Sequence, residues 1–234
     1  MSRSVLSVAV AVAAVFLTGS GAYAQVKSAP PPPPPPKAAP AAAKSAPAAQ
    51  AKGAAAAKTF KDSRDGKTYK TVKVGSQTWF AENLNYAEKG SVCYENNDAN
   101  CAKYGRLYDW ATALKACPAG SHLPSDDEWT ALENAVGGRS TAGIKLKSTT
   151  GWKYEYGRED GSGTNDFGWS ALSGGLGEEH GVFDAAGYDA YWWSATEIDA
   201  NKTWIRYMNS EKDDVVRSDL GKSNKASVRC VEDR

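Results

Sequence analysis

Alternating polar and apolar residues mark the first regular element of the chain. The segment Thr68–Val74 alternates in this way, as expected for a strand with one buried face. The turn-forming pair Asp65–Gly66 precedes it, and Gly75–Ser76 turns the chain back into Gln77–Phe80. Because short glycine-containing turns join antiparallel strands, this pattern predicts a β-hairpin.

A helical periodicity follows between Tyr104 and Cys117. Apolar residues recur there at i, i+3, i+4 and i+7, namely at Leu107, Trp110, Ala111 and Leu114. This spacing places them on one face of an amphipathic helix. Pro118 then ends the segment, because the residue before a proline disfavours helical geometry.

A second helix has clearer boundaries. Ser125 and Glu128 form the sequence signature of a capping box, with the serine at the N-cap and the glutamate three residues later. The expected buried positions are Trp129, Leu132 and Val136. Gly137–Gly138 supplies the stop signal.

The remaining elements are shorter. Residues 141–190 contain many glycines and no long periodic run, which predicts long loops held by aromatic side chains. Short strands are predicted at Tyr191–Thr196, Thr203–Asn209, Asp214–Ser218 and Ser227–Val231. Polar turns separate them, as in an antiparallel meander. Two helices followed by a meander predict an α+β fold class, not a parallel α/β sheet.

The first 24 residues have the organisation of a secretory signal peptide. One positive charge precedes the apolar run Val5–Leu17, and the small-residue segment Ala22–Ala24 precedes Gln25. The run of 13 residues is too short to span a bilayer comfortably. The sequence therefore predicts cleavage of residues 1–24, export to the periplasm, cell surface or medium, and no membrane span in the mature chain.

A biased segment, residues 25–59, follows the predicted cleavage point. It consists mainly of Ala, Pro and Lys and includes seven consecutive prolines, Pro30–Pro36. Proline favours polyproline II, and a segment without aromatic or acidic residues cannot build a core. We therefore predict a disordered linker followed by one domain at residues 60–234. The five lysines of the linker either associate with an acidic cell envelope or only keep a solvated spacer soluble.

Charge is divided unevenly between these two regions. All 27 acidic residues and 22 of the 28 basic residues follow residue 59. The domain therefore carries a net charge of about −5 and the linker about +5. A mildly acidic domain is a poor candidate for nucleic-acid binding.

The four cysteines predict two disulfides. An even number of cysteines in an exported chain favours disulfide bonds, and four of them allow three connectivities. We predict Cys93–Cys101, which closes a polar loop with little else to hold it, and Cys117–Cys230, which ties the end of a helix to the last strand. A zinc site is the alternative, but the spacing of the cysteines does not fit one.

The order of motifs along the domain resembles a known family. Five segments carry the resemblance: Cys93–Trp110, Cys117–Ser125, Asn165–Gly175, Tyr191–Glu197 and Ser227–Val231. Together they are similar to the Fibrobacter succinogenes major paralogous domain over roughly residues 64–233. The resemblance implies a variant of the C-type lectin-like fold. In that fold a cysteine after the first helix pairs with one in the last strand, which supports Cys117–Cys230.

The resemblance implies less about function than about fold. Members of this family occur on exported and surface proteins, and their biochemical activity is largely undefined. Surface adhesion and polysaccharide contact are the usual suggestions. A fold alone does not determine a function, so the candidate residues are considered one group at a time.

Aromatic residues form the first candidate site. Trp152, Tyr154 and Tyr156 alternate, so they would share one face of an extended segment, and Tyr188, Tyr191 and Trp192 would add to this row. Flat apolar rings with polar neighbours suit the faces of sugar rings. The alternative is that these aromatics pack beneath a long loop with few aliphatic residues. By contrast, Trp110, Trp129, Trp169 and Trp193 are expected in the core.

A calcium site is the second candidate. The loop oxygens that would form it belong to Asn165, Asp166, Glu178, Glu179, Asp184 and Asp189. No EF-hand spacing is present, and the Glu-Pro-Asn and Gln-Pro-Asp tripeptides of calcium-dependent lectins are absent. We therefore predict no obligatory cofactor and keep calcium as an alternative.

Catalysis is the third candidate. The segment Glu178–His180 offers carboxylates and an imidazole, but adjacent residues rarely point at one substrate. The sequence contains no nucleophile elbow, zinc-protease motif or phosphate-binding loop. Formylglycine-generating enzymes share the lectin-like fold but need a redox pair of cysteines, and both pairs here are assigned to disulfides.

Three hypotheses follow for the function. The first is an exported, non-catalytic binding or adhesion module that contacts polysaccharide or a cell-envelope partner. The second is a structural component of the envelope or of a surface filament. The third is an enzyme of unknown type.

Overall fold

The computed structural model of this protein describes residues 58–154 and 161–234. These residues belong to one compact unit that spans Ala51–Arg234. The predicted signal peptide, nearly all of the predicted linker and the candidate Tyr156 lie outside the described residues. None of the helices in this part of the chain has the length and apolarity that a membrane span requires.

Helices and strands alternate irregularly along the described chain. The α-helices are α1 (Asp98–Tyr104), α2 (Trp110–Ala116), α3 (Asp126–Ala135) and α4 (Arg139–Leu146), and a 3₁₀ turn covers Tyr94–Asn96. The strands are β1 (Lys58–Lys61), β2 (Thr68–Val74), β3 (Gln77–Phe80), β4 (Ser91–Val92), β5 (Leu107–Tyr108), β6 (Ser121–His122), β7 (Leu176–Gly177), β8 (Phe183–Asp184), β9 (Asp189–Glu197), β10 (Lys202–Asn209), β11 (Val216–Gly221), β12 (Ala226–Ser227) and β13 (Val231–Glu232). The predicted α+β class is confirmed, but the expectation of two helices is wrong, since the described residues form four α-helices.

Two sheets form the framework of the domain. One has the strand order β1-β2-β3-β13-β6, the other β11-β10-β9-β12-β5-β4, and β7 pairs with β8 separately. The predicted meander is present as β9, β10 and β11, which pair antiparallel in sequence order. The single pair formed by β12 and β9 is parallel.

The predicted C-terminal strand Ser227–Val231 is divided between the two sheets. Its start belongs to β12 and its end to β13. Between them, the carbonyl oxygen of Val228 accepts from the Leu84 amide at 2.9 Å, and that of Cys230 accepts from the Phe80 amide at 2.9 Å. The last segment therefore crosses from one sheet to the other while its backbone groups stay paired.

The predicted hairpin and the capped helix are confirmed. Strands β2 and β3 pair with Val74 opposite Gln77, and Gly75 has the positive φ of 59° that the turn requires. Helix α3 begins at the capping box, in which the Ser125 hydroxyl accepts from the backbone amide of Glu128. Its residues Trp129 and Leu132 are buried, as the stripe predicts.

The helix expected between residues 104 and 117 is shorter than its apolar stripe suggests. Leu107 lies in strand β5, and the helix begins only at Trp110, because the Asp109 carboxylate caps it by accepting from the Thr112 amide at 2.8 Å. The later start leaves Ala111 and Leu114 exposed. The buried face is formed instead by Trp110, Thr112, Ala113 and Ala116.

Helix α4 lies in a region where the sequence predicts loops. Its central residue Gly143 is buried, and the amide of Ile144 donates to the carbonyl oxygen of Asp213 at 3.0 Å. A Cβ atom at Gly143 would lie 2.3 Å from the carbonyl oxygen of Asp214. The glycine that weakens the helical pattern is therefore required for close packing against the β10–β11 loop.

Tryptophan dominates the core. Four rings, those of Trp79, Trp129, Trp169 and Trp192, form a cluster with neighbouring centroids 4.8–6.3 Å apart. The expectation that Trp110, Trp129, Trp169 and Trp193 are buried is confirmed. Contacts of this kind between aromatic rings stabilise a core beyond the area that they bury.

Both predicted disulfides are present. The Cα atoms are 4.9 Å apart in Cys93–Cys101 and 5.9 Å apart in Cys117–Cys230, distances that are typical of bridged cysteines. The first bridge holds the 3₁₀ turn against α1. The second joins the end of α2 to the segment between β12 and β13.

A buried arginine connects the segment before β13 to the tryptophan cluster. The side chain of Arg229 is fully buried and stacks on Trp169, with its guanidinium carbon 4.0 Å from the ring centroid. Its five N–H groups donate to the Asn83 side-chain oxygen and to the carbonyl oxygens of Phe80, Trp169 and Ser170. Burial lowers the pKa of Arg229 to about 9, so the group still carries its charge at neutral pH.

His122 connects Asp233, which follows β13, to the capping box at the start of helix α3. Its Nδ1 lies 2.7 Å from Oδ1 of Asp233, and its Nε2 lies 2.9 Å from Oε1 of Glu128, the capping-box carboxylate. Burial lowers the pKa of His122, but these hydrogen bonds outweigh burial and leave the pKa above its ordinary value. The charged imidazolium is the form that donates to both carboxylates.

Candidate ligand-binding cleft

The structure does not support a sugar-binding role for the two tryptophans of the predicted aromatic row. Trp152 is 2% exposed and Trp192 is fully buried. The indole N–H of Trp152 donates to Ala171 O at 3.0 Å, and that of Trp192 donates to Asn83 Oδ1 at 2.9 Å. A ring buried on both faces cannot stack on a sugar. The expectation of exposure is therefore wrong, and these indoles supply the core beneath a loop region that has few aliphatic residues.

The predicted tyrosines have different surroundings. Tyr154 and Tyr188 are half-buried, so part of each ring reaches the surface. Tyr191 is also half-buried and stacks on Tyr207 of the neighbouring strand, with the centroids 4.9 Å apart. The exposed part of the predicted aromatic row is thus formed by tyrosines.

The calcium candidates do not form one site. Asn165 uses its side chain to bind Ser170, accepting from the amide and donating to the hydroxyl at 2.8 and 2.9 Å. Glu178 and Glu179 lie on the exposed β7–β8 turn, where Glu179 contacts Ser223 and His180. Among the described residues, no group of three or more His, Cys, Asp or Glu side chains is placed to hold a metal ion.

A polar cleft of about 450 Å³ opens where the β8–β9 loop meets the end of β10. Its lining residues are Tyr94, Asp184, Ala185, Ala186, Tyr188, Asp189, Asn209, Ser210 and Glu211. This volume lies within the range of small-molecule sites, which runs from about 300 to 1,000 Å³. A second cleft, of about 240 Å³ around Tyr104, contains none of the predicted ligand-binding residues.

Tyr94 reaches the cleft from the disulfide-closed loop. The carbonyl oxygen of Tyr94 accepts from Asn100 Nδ2 at 3.0 Å, and its ring packs on Phe183 with the centroids 5.3 Å apart. A Cβ atom at Gly175 would lie 2.8 Å from the tyrosine ring, so the glycine leaves room for it. The Cys93–Cys101 bridge therefore positions a side chain of the cleft.

Asp189 lines the cleft and lies opposite Asn209 in the β9–β10 ladder. Its Oδ1 accepts from Asn209 Nδ2 at 2.6 Å, and its Oδ2 accepts from the Tyr191 hydroxyl at 3.1 Å. Burial raises the pKa of Asp189, the hydrogen bonds oppose this effect, and the negative charge of Asp184 adds to it. The carboxylate is thus fixed in orientation by two neighbouring strands.

Ser210 forms part of the cleft wall. Its side chain is 4% exposed, and its backbone amide donates to Tyr188 O at 2.8 Å. The Ser210 hydroxyl has no hydrogen-bond partner in the described part of the chain. A buried hydroxyl without a partner is costly, and such groups often mark a place for a water molecule or a ligand.

The lining of the cleft is acidic. Among the described residues, it includes Asp184, Asp189 and Glu211 but no lysine or arginine. Two described lysines lie close to lining residues: Lys147 Nζ donates to Asn209 O at 3.2 Å, and Lys153 Nζ lies 5.5 Å from the centroid of the Tyr188 ring. Carboxylates, one amide, a hydroxyl and phenol rings are suited to ligands that are rich in hydrogen-bond donors.

Part of this cleft is predictable from the sequence. Tyr188 is a candidate for sugar stacking and Asp184 and Asp189 are candidates for calcium, and the structure places all three in the cleft lining. Tyr94, Asn209, Ser210 and Glu211 were not predicted. The closed loop Cys93–Cys101 was the available signal for Tyr94, and strand pairing alone brings Asn209 next to Asp189.

The fold and the cleft define a class, namely a disulfide-bonded α+β module with long surface loops. Residues 72–232 match the family described as the Fibrobacter succinogenes major domain. The chain belongs to this family, as its motifs predict. No curated protein and no solved structure matches the chain.

Proposed function

We propose that this protein is an exported, non-catalytic binding module that holds a polyhydroxylated ligand, such as a polysaccharide, in the cleft around Asp189. The observation that carries the proposal is the combination of half-buried tyrosine rings with oriented polar groups in one cavity. Carboxylate and amide groups bind sugar hydroxyls, and the rings of Tyr94 and Tyr188 offer apolar faces. The C-type lectin-like fold implied by the sequence motifs is part of this proposal.

Export is part of the proposal and has two supports. The first is the signal-peptide pattern of residues 1–24. The second is the presence of two disulfides with no free cysteine in the described residues, which is typical of oxidising compartments. The linker would then separate the binding module from the site at which the protein is held.

A non-catalytic role is favoured by the state of the central carboxylate. Both oxygens of Asp189 already accept hydrogen bonds from neighbouring side chains. A general acid or base must exchange its proton with a substrate, and a carboxylate held in this way serves better as a fixed acceptor.

A purely structural role has less support. Among the described residues, the exposed large hydrophobic side chains are Leu114, Val182 and Ile198, which belong to three different parts of the chain. Single exposed hydrophobic residues are normal on a protein surface and do not define an assembly interface.

The proposal is tested with retention assays on a panel of insoluble polysaccharides and with a glycan array, using the full chain. We expect Tyr188→Ala to lose retention by about 10-fold, since one aromatic contact contributes on the order of 1 kcal/mol or more. Tyr86→Ala is the matched control, because this half-buried tyrosine lies outside the cleft. Retention that is equal in both variants, or absent from every glycan, would refute the proposal.

A further inference from the structure

The three acids of the cleft lack basic partners among the residues that the structure describes. Asp184, Asp189 and Glu211 form no ion pair with any lysine, arginine or histidine in the described part of the chain. Repulsion between like charges contributes to the raised pKa of Asp189. A positive charge placed between these acids would relieve that repulsion, because opposite charges favour the ionised carboxylates.

The hydrogen-bonding capacity of the cleft is biased in the same direction. Ionised carboxylates only accept hydrogen bonds, and the buried Ser210 hydroxyl, which can also accept, has no partner among the described residues. One hydrogen of the Asn209 side-chain amide is already donated to Asp189, so that hydrogen is not available to a ligand. The cleft therefore offers more hydrogen-bond acceptors than donors and is suited to a ligand with several hydrogen-bond donors.

The aromatic walls fit a cation as well. Tyr188 already has an ammonium near its ring, that of Lys153 at 5.5 Å. Aromatic rings attract cations that lie within about 6 Å of the ring centre. The ring of Tyr94 is held in place by Phe183 and by the disulfide-closed loop, so a second aromatic wall is preformed.

We propose that the cleft selects saccharides that carry a protonated primary amine, such as an unacetylated amino sugar, over neutral or acidic saccharides. This inference rests on the proposed function, because it names the ligand class for the same cleft. A lysine side chain of a protein partner fits less well, because its long apolar stem would face a mostly polar lining. An ammonium donates three hydrogen bonds, which matches the excess of acceptors.

The test compares three soluble probes of equal length: a fully deacetylated glucosamine oligosaccharide, its N-acetylated counterpart and a glucose oligosaccharide. Affinities for the full chain are measured by calorimetry at one pH. We expect the deacetylated probe to bind about 10-fold more tightly than the other two, since each exposed ion pair contributes about 2- to 5-fold. This preference should fall when the ionic strength is raised to about 0.5 M, because salt screens exposed charges.

Two substitutions locate the effect. Glu211→Gln and Asp184→Asn should each reduce the preference for the amine about 2- to 5-fold. Glu178→Gln is the matched control, because this exposed glutamate lies outside the cleft lining. Circular dichroism melts of the variants confirm that each remains folded, which is expected because Glu211 and Asp184 are exposed.

The outcomes separate this inference from the proposed function. If the three probes bind equally well and Tyr188→Ala weakens them all, the cleft binds saccharides without selecting the amine, and only this inference is overturned. If no saccharide binds, both proposals fail. If a lysine-rich peptide binds more tightly than the deacetylated saccharide, and Glu211→Gln weakens it, the ligand class proposed here is wrong.

Discussion

The buried arginine permits the sharpest prediction about stability. In Arg229→Lys the charge remains, but the ammonium has three donors where the guanidinium has five, so at least two contacts are lost. The carbonyl oxygens of Trp169 and Ser170 accept no other hydrogen bond in the described residues. A buried acceptor left without a partner costs about 1–3 kcal/mol. We therefore expect Arg229→Lys to lower the free energy of unfolding by about 2–6 kcal/mol.

The measurement is equilibrium unfolding in denaturant with both disulfides intact. The control is Arg217→Lys, since Arg217 is one-third exposed, stacks on Trp204 and pairs with Asp126 at the surface. We expect a loss of about 1 kcal/mol or less there, which is typical of exposed ion pairs. A loss below about 1 kcal/mol at Arg229, or equal losses in the two variants, would refute the assigned role of the buried hydrogen bonds.

Three further predictions concern other parts of the fold. Because the pKa of His122 is raised, its contribution to stability is complete below about pH 6.5 and is lost as the pH rises through the raised value. The melting temperatures of wild type and His122→Gln should therefore converge from pH 6 to 9. A constant difference would count against the stabilising hydrogen bonds from His122 to Glu128 and Asp233. Gly143→Ala should destabilise by about 1–3 kcal/mol through overpacking against the β10–β11 loop, and unchanged denaturant midpoints would contradict this packing. Trp152→Ala should cost about 3–5 kcal/mol while leaving glycan retention of the folded protein intact, whereas lost retention at unchanged stability would restore a surface role for this ring.

Local signals explain which elements the sequence predicts well. The β2–β3 hairpin follows from its glycine turn, and α3 follows from the capping box at Ser125, because both signals act between residues a few positions apart. The sequence does not predict helix α4, because Gly143 weakens the helical pattern and is required only for a contact with the distant β10–β11 loop. The division of the last strand between two sheets is likewise a property of distant pairing partners.

The cleft shows the same difference between local sequence signals and contacts between distant residues. Tyr188, Asp184 and Asp189 are candidates in the sequence, yet the sequence assigns Tyr188 and Asp184 to separate sites, because their proximity depends on how the loop after β8 folds. Trp152 illustrates the converse. Alternation predicts that a side chain shares a face with its neighbours, but it does not say whether that face meets solvent or the core.

The bridge between Cys117 and Cys230 has a mechanical consequence. A module that is held through its N-terminal side and grips a ligand in the cleft carries tension between the two points. The cleft residues from Asp184 to Glu211 lie inside the loop of sequence separation 113 that this disulfide closes. A pull that arrives at Cys117 is therefore shared by two covalent arms, one forward through α3 and one across the bridge and back through β12. Before Cys117, the chain outside the Cys93–Cys101 loop can extend under load by at most about 3.6 Å per residue, so stretching is confined to the part of the domain that precedes most of the cleft.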